Sequence, residues 1–148
     1  MHSIKVGLIR EGKLPPDKRV PFTPLQVEEI GQRFSNVRVY CQDSAARCFS
    51  NNEYEAVGSE ILSSMEQCDI LMGIKEVPIA ELIENKTYLF FSHTIKKQPY
   101  NRKLLQEIIK KRIRLIDYEA LKDKQGNRLV AFGRYAGIVG AYNGLWTF

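Results

Sequence analysis

The sequence predicts an α/β protein with an open, mostly parallel, twisted sheet and helices on both faces. Strand patterns alternate with helix patterns along all 148 residues. Two middle segments, "CDILMGIK" (68–75) and "KTYLFFSH" (86–93), are apolar on both faces, as strands of a parallel sheet covered on both sides are. No G-x-G-x-x-G follows any strand. The predicted class is therefore Rossmann-like or flavodoxin-like, without a dinucleotide fingerprint.

The first strand and the first helix have clear boundary signals. "SIKVGLI" (3–9) is a strand pattern, and a charged, proline-rich loop follows it. Thr23 is a typical N-cap residue, and Pro24 suits the first helical position. We expect the helix to run to about Phe34.

The second strand and its neighbours follow in the same alternation. "NVRVYC" (36–41) alternates apolar and polar residues and predicts a strand. "SNNEYEAVGSEIL" (50–62) predicts a short capped helix that stops near Gly58. The strand 68–75 comes next. The remaining predicted elements are a short helix in 77–84, a strand in 86–93, a helix at about 99–111, a strand in 113–119, a turn at 123–128 and a helix in 133–148.

Composition limits the classes of function. The chain is 44% hydrophobic and 26% charged, as soluble globular proteins are, and no apolar run approaches the roughly 18–20 residues that span a bilayer. No signal-peptide cleavage pattern follows the N-terminus, so we expect a cytoplasmic protein without membrane contact. Its net charge is +5, but no nucleic-acid recognition motif accompanies the basic residues. Its three cysteines lack C-x-x-C spacing, which argues against a disulfide framework and a zinc site.

Four basic side chains follow predicted strand ends, where open parallel sheets bind ligands. Arg10 ends the first strand and Arg19 lies in the loop beyond it, while Lys75 and His93 end two later strands. Each residue also has a structural interpretation. Lys75 suits a surface lysine, Arg19 suits a loop cation, and His93 suits a histidine bonded to a backbone carbonyl.

Together, these side chains fit the recognition of a small 2-oxo or 2-amino acid. An arginine guanidinium matches a carboxylate, so Arg19 and Arg10 are the predicted substrate-binding residues. Lysine polarises a carbonyl or exchanges a proton, and histidine titrates near neutral pH. Lys75 and His93 are therefore the predicted catalytic residues. No metal ligands are predicted.

Four motifs in register resemble a known superfamily. "KVGLIREGKLPPDKRVPFTP" resembles the N-terminal signature of alanine dehydrogenases and pyridine nucleotide transhydrogenases, and "FSNNEYEAVGSEIL", "CDILMGIKEVP" and "FFSHTIKKQ" continue the match. The ending, "IDYEALKDKQGNRLVAFGRYAGIVGAYNG", is more similar to the lysine-forming saccharopine dehydrogenase branch. The resemblance covers essentially the whole chain.

The resemblance implies roles for the same residues. The family's catalytic lysine and histidine fall on Lys75 and His93, and its carboxylate-binding arginine falls on Arg19. It also implies a two-domain enzyme in which a second, Rossmann domain binds NAD or NADP. Residues 1–148 then form the N-terminal substrate and catalytic domain, the cofactor domain is absent, and we expect this chain alone to be inactive.

Several alternatives stay open at this point. The substrate of such a dehydrogenase is alanine, saccharopine or another amino acid. A stand-alone module that binds a small carboxylate without catalysis, or a transhydrogenase α-subunit-like domain, also fits the sequence. The chain stops in mid-pattern at "LWTF", so we expect a longer protein. Glycines recur about once per turn in the last helix, which favours close packing against a second domain or, in a homo-oligomer, a second subunit.

Overall fold

Six parallel strands form one sheet at the centre of the protein. The structure is a computed structural model that describes residues 3–13, 15 and 17–147. The strands are β1 (Ile4–Leu8), β2 (Val37–Gln42), β3 (Glu60–Leu62), β4 (Ile70–Met72), β5 (Thr87–Phe90) and β6 (Arg114–Asp117). Their order across the sheet is β3-β2-β1-β4-β5-β6.

This order contains one topological switch point. From β1 the chain builds outward through β2 to β3, then crosses to the other side of β1 and continues through β4 and β5 to β6. Leu8 at the end of β1 is in register with Cys41 on β2 and with Met72 on β4. The carboxyl ends of β1 and β4 therefore lie side by side where the winding reverses, the usual ligand position in open α/β sheets. We refer to this end as the carboxyl edge of the sheet.

Helices cover both faces of the sheet, which confirms the predicted fold class. They are α1 (Pro24–Arg33), α2 (Asn51–Glu55), α3 (Arg102–Lys110) and α4 (Gly133–Trp146). Val27 of α1 and Tyr54 of α2 pack with Leu8 in one apolar cluster. Leu104 and Ile108 of α3 belong to a second cluster that includes strand residues such as Leu71, Tyr88 and Phe90.

The predicted boundary signals of α1 are present in the structure. The Thr23 hydroxyl accepts a hydrogen bond from the Gln26 N–H, and the Gln26 side chain accepts one from the Thr23 N–H at 2.9 Å. This reciprocal capping box, with Pro24 at the first helical position, fixes where the loop ends. The Arg19-bearing segment is therefore held between β1 and a well-defined helix start.

Two regions differ from the sequence prediction. In the segment 50–62, the predicted helix is shorter than expected, since α2 ends at Glu55, and Gly58 takes a left-handed φ of +83°. Glu60–Leu62, for which no strand was predicted, forms the edge strand β3. A three-residue strand has too little pattern of its own and is defined by its pairing with β2. The other region is 77–84, where the predicted short helix is a single 3₁₀ turn at Ile79–Glu81. The side chains of α4 are exposed in this chain. No helix within the described residues is long and apolar enough to cross a membrane.

Candidate active site

Arg19 is held on two sides. Its Nε donates to both carboxylate oxygens of Asp17 at 2.9 and 3.2 Å, and its Nη2 donates to Oδ2 at 2.6 Å. The guanidinium also lies 4.7 Å from the centre of the Phe132 ring, a cation–π distance. The hydrogen bonds from Arg19 lower the pKa of Asp17 despite its partial burial. The carboxylate and the ring together orient the guanidinium.

Glu11 connects this loop to the end of β4. Its Oε1 accepts the Ile74 N–H at 2.6 Å, and its Oε2 accepts the Lys75 N–H at 2.8 Å. Burial raises the pKa of Glu11, while the two backbone hydrogen bonds oppose that rise. The positive charge of Lys75 also contributes to the lowered pKa of Asp17. Glu11 therefore fixes the backbone that carries Lys75 beside the loop that carries Arg19.

Glu76 makes the corresponding connection to His93. Its Oε1 lies 2.5 Å from His93 Nδ1, and its Oε2 accepts from Lys13 Nζ at 3.0 Å. Burial acts to raise the pKa of Glu76, but the hydrogen bonds from His93, from its own backbone and from Lys13 outweigh it, so the pKa is lowered. An ionised carboxylate only accepts, so Nδ1 carries the hydrogen. Nε2 is then the nitrogen that can exchange a proton with a substrate.

The backbone of His93 has an unusual conformation. Its φ of 55° and ψ of 10° are left-handed, which costs about 1–2 kcal/mol for a residue other than glycine. Its carbonyl accepts from the Lys96 N–H at 3.1 Å and from Asn101 Nδ2 at 3.2 Å. The side chain is 18% exposed. The chain thus turns sharply just beyond β5 and keeps the imidazole accessible at the carboxyl edge.

A further carboxylate, Glu119, follows β6. Its side chain is only 3% exposed, and its Oε1 lies 3.4 Å from Lys96 Nζ and 3.6 Å from Arg128 Nη1. Its Oε2 is buried and has no hydrogen-bond partner within the described part of the chain. Buried polar atoms are usually satisfied, so this oxygen is an unfilled acceptor close to two cations.

Three of the four residues singled out from the sequence belong to one connected set. Arg19 bonds to Asp17, Glu11 bonds to the backbone of Lys75, and the next residue, Glu76, bonds to His93. After burial and the two backbone hydrogen bonds, the charges of Asp17 and Arg19 also act on the pKa of Glu11, which links the two pairs electrostatically. Arg10 lies elsewhere along the carboxyl edge. Its N–H donates to Gln42 Oε1 at 3.0 Å, and the residue lines a cavity of about 210 Å³ with Gln42, Ser63, Ser64 and Glu81.

Sequence reasoning gave no role to the acidic residues of this site. Glu11 and Glu76 stand next to the predicted strand ends, so their positions were a usable signal. Asp17 lies two residues before Arg19 in a loop, where spacing alone does not predict pairing. Glu119 had no signal, because its environment depends on the fold that brings Lys96 and Arg128 beside it.

Relatives of known name match the chain over nearly its whole length. Mitochondrial alpha-aminoadipic semialdehyde synthase of Mus musculus is 37% identical over 142 residues, covering 96% of this chain and 15% of that protein. The NAD(+), L-lysine-forming saccharopine dehydrogenase of Candida glabrata is 32% identical over 157 residues, covering 99% of this chain and 41% of that enzyme. The chain thus spans less than half the length of these relatives.

Solved structures and a family model agree with this result. An L-alanine dehydrogenase superposes with a TM-score of 0.69 at 15% identity, over 84% of this chain and 35% of that one. A transhydrogenase from Sinorhizobium meliloti gives 0.63 at 12% identity, over 78% and 35%. Residues 7–139 match the model of the alanine dehydrogenase/PNT N-terminal domain, which confirms the resemblance inferred from the motifs. The chain belongs to the alanine dehydrogenase/PNT N-terminal domain family.

Proposed function

We propose that the chain is the substrate-binding and acid–base part of an NAD(P)-dependent dehydrogenase that reversibly oxidises a C–N bond of an amino acid. The observation that carries the proposal is the connected set at the carboxyl edge. It contains an oriented guanidinium at Arg19, an ammonium at Lys75, and an imidazole at His93 backed by Glu76. The family and the names of the relatives support the same reaction class.

In this proposal each side chain has one task. Arg19 holds the substrate carboxylate. Asp17 and Phe132 fix the orientation of its guanidinium, which makes this contact less costly. Lys75 stabilises the nitrogen or oxygen on the reacting carbon. His93 exchanges a proton through Nε2 with the water or amine that adds to that carbon, and Glu76 stabilises the imidazolium form. Hydride acceptance is the task of the nicotinamide.

The residues of this chain do not themselves fit a dinucleotide. The loop after β1 lacks the glycine fingerprint, and its Gly12 packs so closely that an added Cβ would lie 2.6 Å from Pro78. That glycine contacts protein rather than leaving space for a pyrophosphate. We therefore propose that a second domain, outside this chain, holds NAD or NADP.

For the substrate we propose an amino acid with more than one carboxylate, as saccharopine has. Support comes from the names of the lysine-forming relatives and from the number of cations near the site. Besides Arg19 and Lys75, the cations are Lys13 paired with Glu76, and Lys96 and Arg128 beside Glu119. Alanine has a single carboxylate and would need fewer cations. Assays of the complete enzyme with a panel of amino and 2-oxo acids and both nicotinamides would test this choice.

The alternative is a non-catalytic module that binds a small carboxylate, favoured by the lack of a dinucleotide site here. A transhydrogenase-like role is supported by the family, whose description includes PNT, and by a likeness of fold. The cytoplasm stays the proposed compartment, although the name of the mammalian relatives includes the word mitochondrial. Homo-oligomer formation also stays a proposal.

The proposal is tested by replacing His93 in the complete enzyme. His93→Ala should lower kcat about 10²- to 10⁴-fold, the usual contribution of a general acid–base, as measured from nicotinamide absorbance. His2→Ala is the matched control, since His2 is the other histidine of the chain, and it should leave kcat unchanged. Near-normal turnover of His93→Ala would remove His93 from the mechanism.

A further inference from the structure

Ser92, immediately before His93, is completely buried and bonded to neighbours on both sides. Its hydroxyl donates to Oδ2 of Asp117 at the end of β6, and it lies 2.8 Å from the hydroxyl of Thr94. The Thr94 N–H also donates to Ser92 Oγ at 3.1 Å. The residues on either side of His93 are thus joined to each other and to the adjacent strand.

Asp117 completes this network from β6. Its second oxygen, Oδ1, accepts the Glu119 N–H at 2.8 Å, so the carboxylate is fixed to its own strand end while it accepts from Ser92. β5 and β6 are neighbours in the sheet, with Phe90 in register with Asp117. The turn that follows β5 is therefore attached to a rigid strand and not only to its own local hydrogen bonds.

The left-handed conformation of His93 depends on this attachment. A left-handed residue other than glycine persists only when its surroundings hold it there, and the Ser92–Thr94–Asp117 network holds both flanking residues. A relaxed turn would rotate the imidazole away from Glu76, whose Oε1 now lies 2.5 Å from Nδ1.

We propose that Ser92, Thr94 and Asp117 are positioning residues that hold His93 in its left-handed conformation, with Nδ1 on Glu76 and Nε2 available to the substrate. The positional part of this inference stands on geometry alone. Its catalytic consequence rests on the proposed function of His93.

The positional part is tested by NMR on the 148-residue chain, whose only histidines are His2 and His93. Long-range proton–nitrogen spectra of the two imidazoles report ring tautomer and hydrogen bonding, and His93→Ala assigns the signals. Ser92→Ala and Thr94→Val each remove one hydroxyl with little change of shape. Both should move the His93 signals toward those of a mobile imidazole and leave the His2 signals unchanged.

Ser59→Ala is the matched control for the loss of a buried serine hydroxyl. Ser59 is 3% exposed, and its hydroxyl donates to the Val39 carbonyl at 3.0 Å, away from His93. Its replacement should leave the His93 signals unchanged. Unchanged His93 signals in both Ser92→Ala and Thr94→Val would overturn the inference. If Ser92→Ala does not fold, the His93 signals of Thr94→Val are compared with those of Ser59→Ala. A shift in Thr94→Val alone supports the inference, and no shift in Thr94→Val overturns it.

The catalytic consequence is measured separately in the complete enzyme. Ser92→Ala should lower kcat about 10- to 100-fold with KM nearly unchanged, because a displaced acid–base group slows proton transfer without weakening the carboxylate contact. Moved His93 signals with undiminished kcat would support the positional inference and overturn the catalytic role of His93. The failures of the two proposals are therefore distinguishable.

Discussion

Asp17 fixes the orientation of the Arg19 guanidinium. Its carboxylate occupies one edge of the Arg19 guanidinium while Phe132 covers a face. Within the described residues, no hydrogen bond is made by Nη1, and in the proposed function this edge receives the ligand carboxylate. Arginine loses little further freedom on binding when its planar group is already oriented.

The Asp17–Arg19 pair predicts a specific dependence of stability on pH. Arg19 lowers the pKa of Asp17 in the folded state below the value of about 3.9 expected for an unfolded chain. The stabilisation is therefore complete above about pH 3.9 and is lost as the pH falls through the lower, folded pKa. Asp17→Asn should reduce the free energy of unfolding by about 1 kcal/mol or less at pH 7, a difference that shrinks in acid.

Urea unfolding of both proteins at a series of pH values measures that difference. Glu29→Gln is a suitable control, since Glu29 pairs with Arg33 on an exposed helix surface and should contribute about 0.5 kcal/mol or less. A stability difference between wild type and Asp17→Asn that grows toward acid would contradict the assignment.

At the scale of elements, strands and caps were predictable and one edge strand was not. α1 begins where Thr23 and Pro24 predict, and β5 (Thr87–Phe90) lies within the strand predicted in 86–93. β3 was missed because Glu60–Leu62 has no pattern apart from its pairing with β2. Local signals thus defined the elements that have their own caps or apolar runs, but not an element that only a neighbour stabilises.

The same distinction applies to the site. Lys75 and His93 stand at strand ends that the sequence marks, so parallel topology alone predicts that they share an edge. The pairing of Glu76 with His93, and the burial of Glu119, depend on side-chain directions after left-handed or irregular turns. Those side-chain directions are set by tertiary contacts, and no periodic pattern in the sequence predicts them.

α4 lies on the surface of this chain. It carries large apolar side chains, among them Tyr135, Ile138, Leu145 and Trp146, and each is more than half exposed. Apart from the helix's own backbone, nothing in the described part of this chain lies within 4 Å of a Cβ built on Gly137, Gly140 or Gly144, so the packing of these glycines against a second domain or subunit stays a prediction. The helix therefore adds exposed apolar surface and little to the two core clusters.

Removal of α4 should consequently leave the sheet intact. Truncation after Gly133 should change the free energy of unfolding by about 0.5 kcal/mol or less, because no side chain of α4 is buried. The binding of a hydrophobic fluorescent dye should fall with the lost apolar surface. Leu104→Ala in α3, where Leu104 is 6% exposed, is the contrasting variant and should cost about 2–5 kcal/mol. Loss of cooperative unfolding after truncation would show that α4 supports the fold.

At the scale of the whole molecule, the carboxyl edge gathers groups from both halves of the sheet. Arg19 follows β1, Lys75 follows β4, and His93 follows β5, so the site spans the switch point. In the proposed function, this arrangement supplies the substrate contacts and the proton exchange. We propose that this chain binds the substrate and exchanges protons, while a second domain binds the nicotinamide cofactor.

We therefore expect the 148-residue chain to bind a 2-oxo acid without catalysing its reduction. With pyruvate or 2-oxoglutarate, ammonia and a reduced nicotinamide, absorbance should stay constant, because no group in the described chain positions the nicotinamide. NMR titration with either acid should still shift the Lys75 and His93 signals, and Arg19→Ala should abolish those shifts. Nicotinamide-dependent turnover by the chain alone would contradict this division of tasks.

The position of β1 in the middle of the sheet also affects the nascent chain during synthesis. β1 leaves the ribosome first, yet it pairs with β2 on one side and with β4, at Ile70–Met72, on the other. Between the emergence of β2 and the emergence of β4 from the ribosome, at least one edge of β1 has no partner strand. Unpaired edges recruit strands from other chains, so a ribosome that pauses in this interval exposes its nascent chain to aggregation and to chaperones.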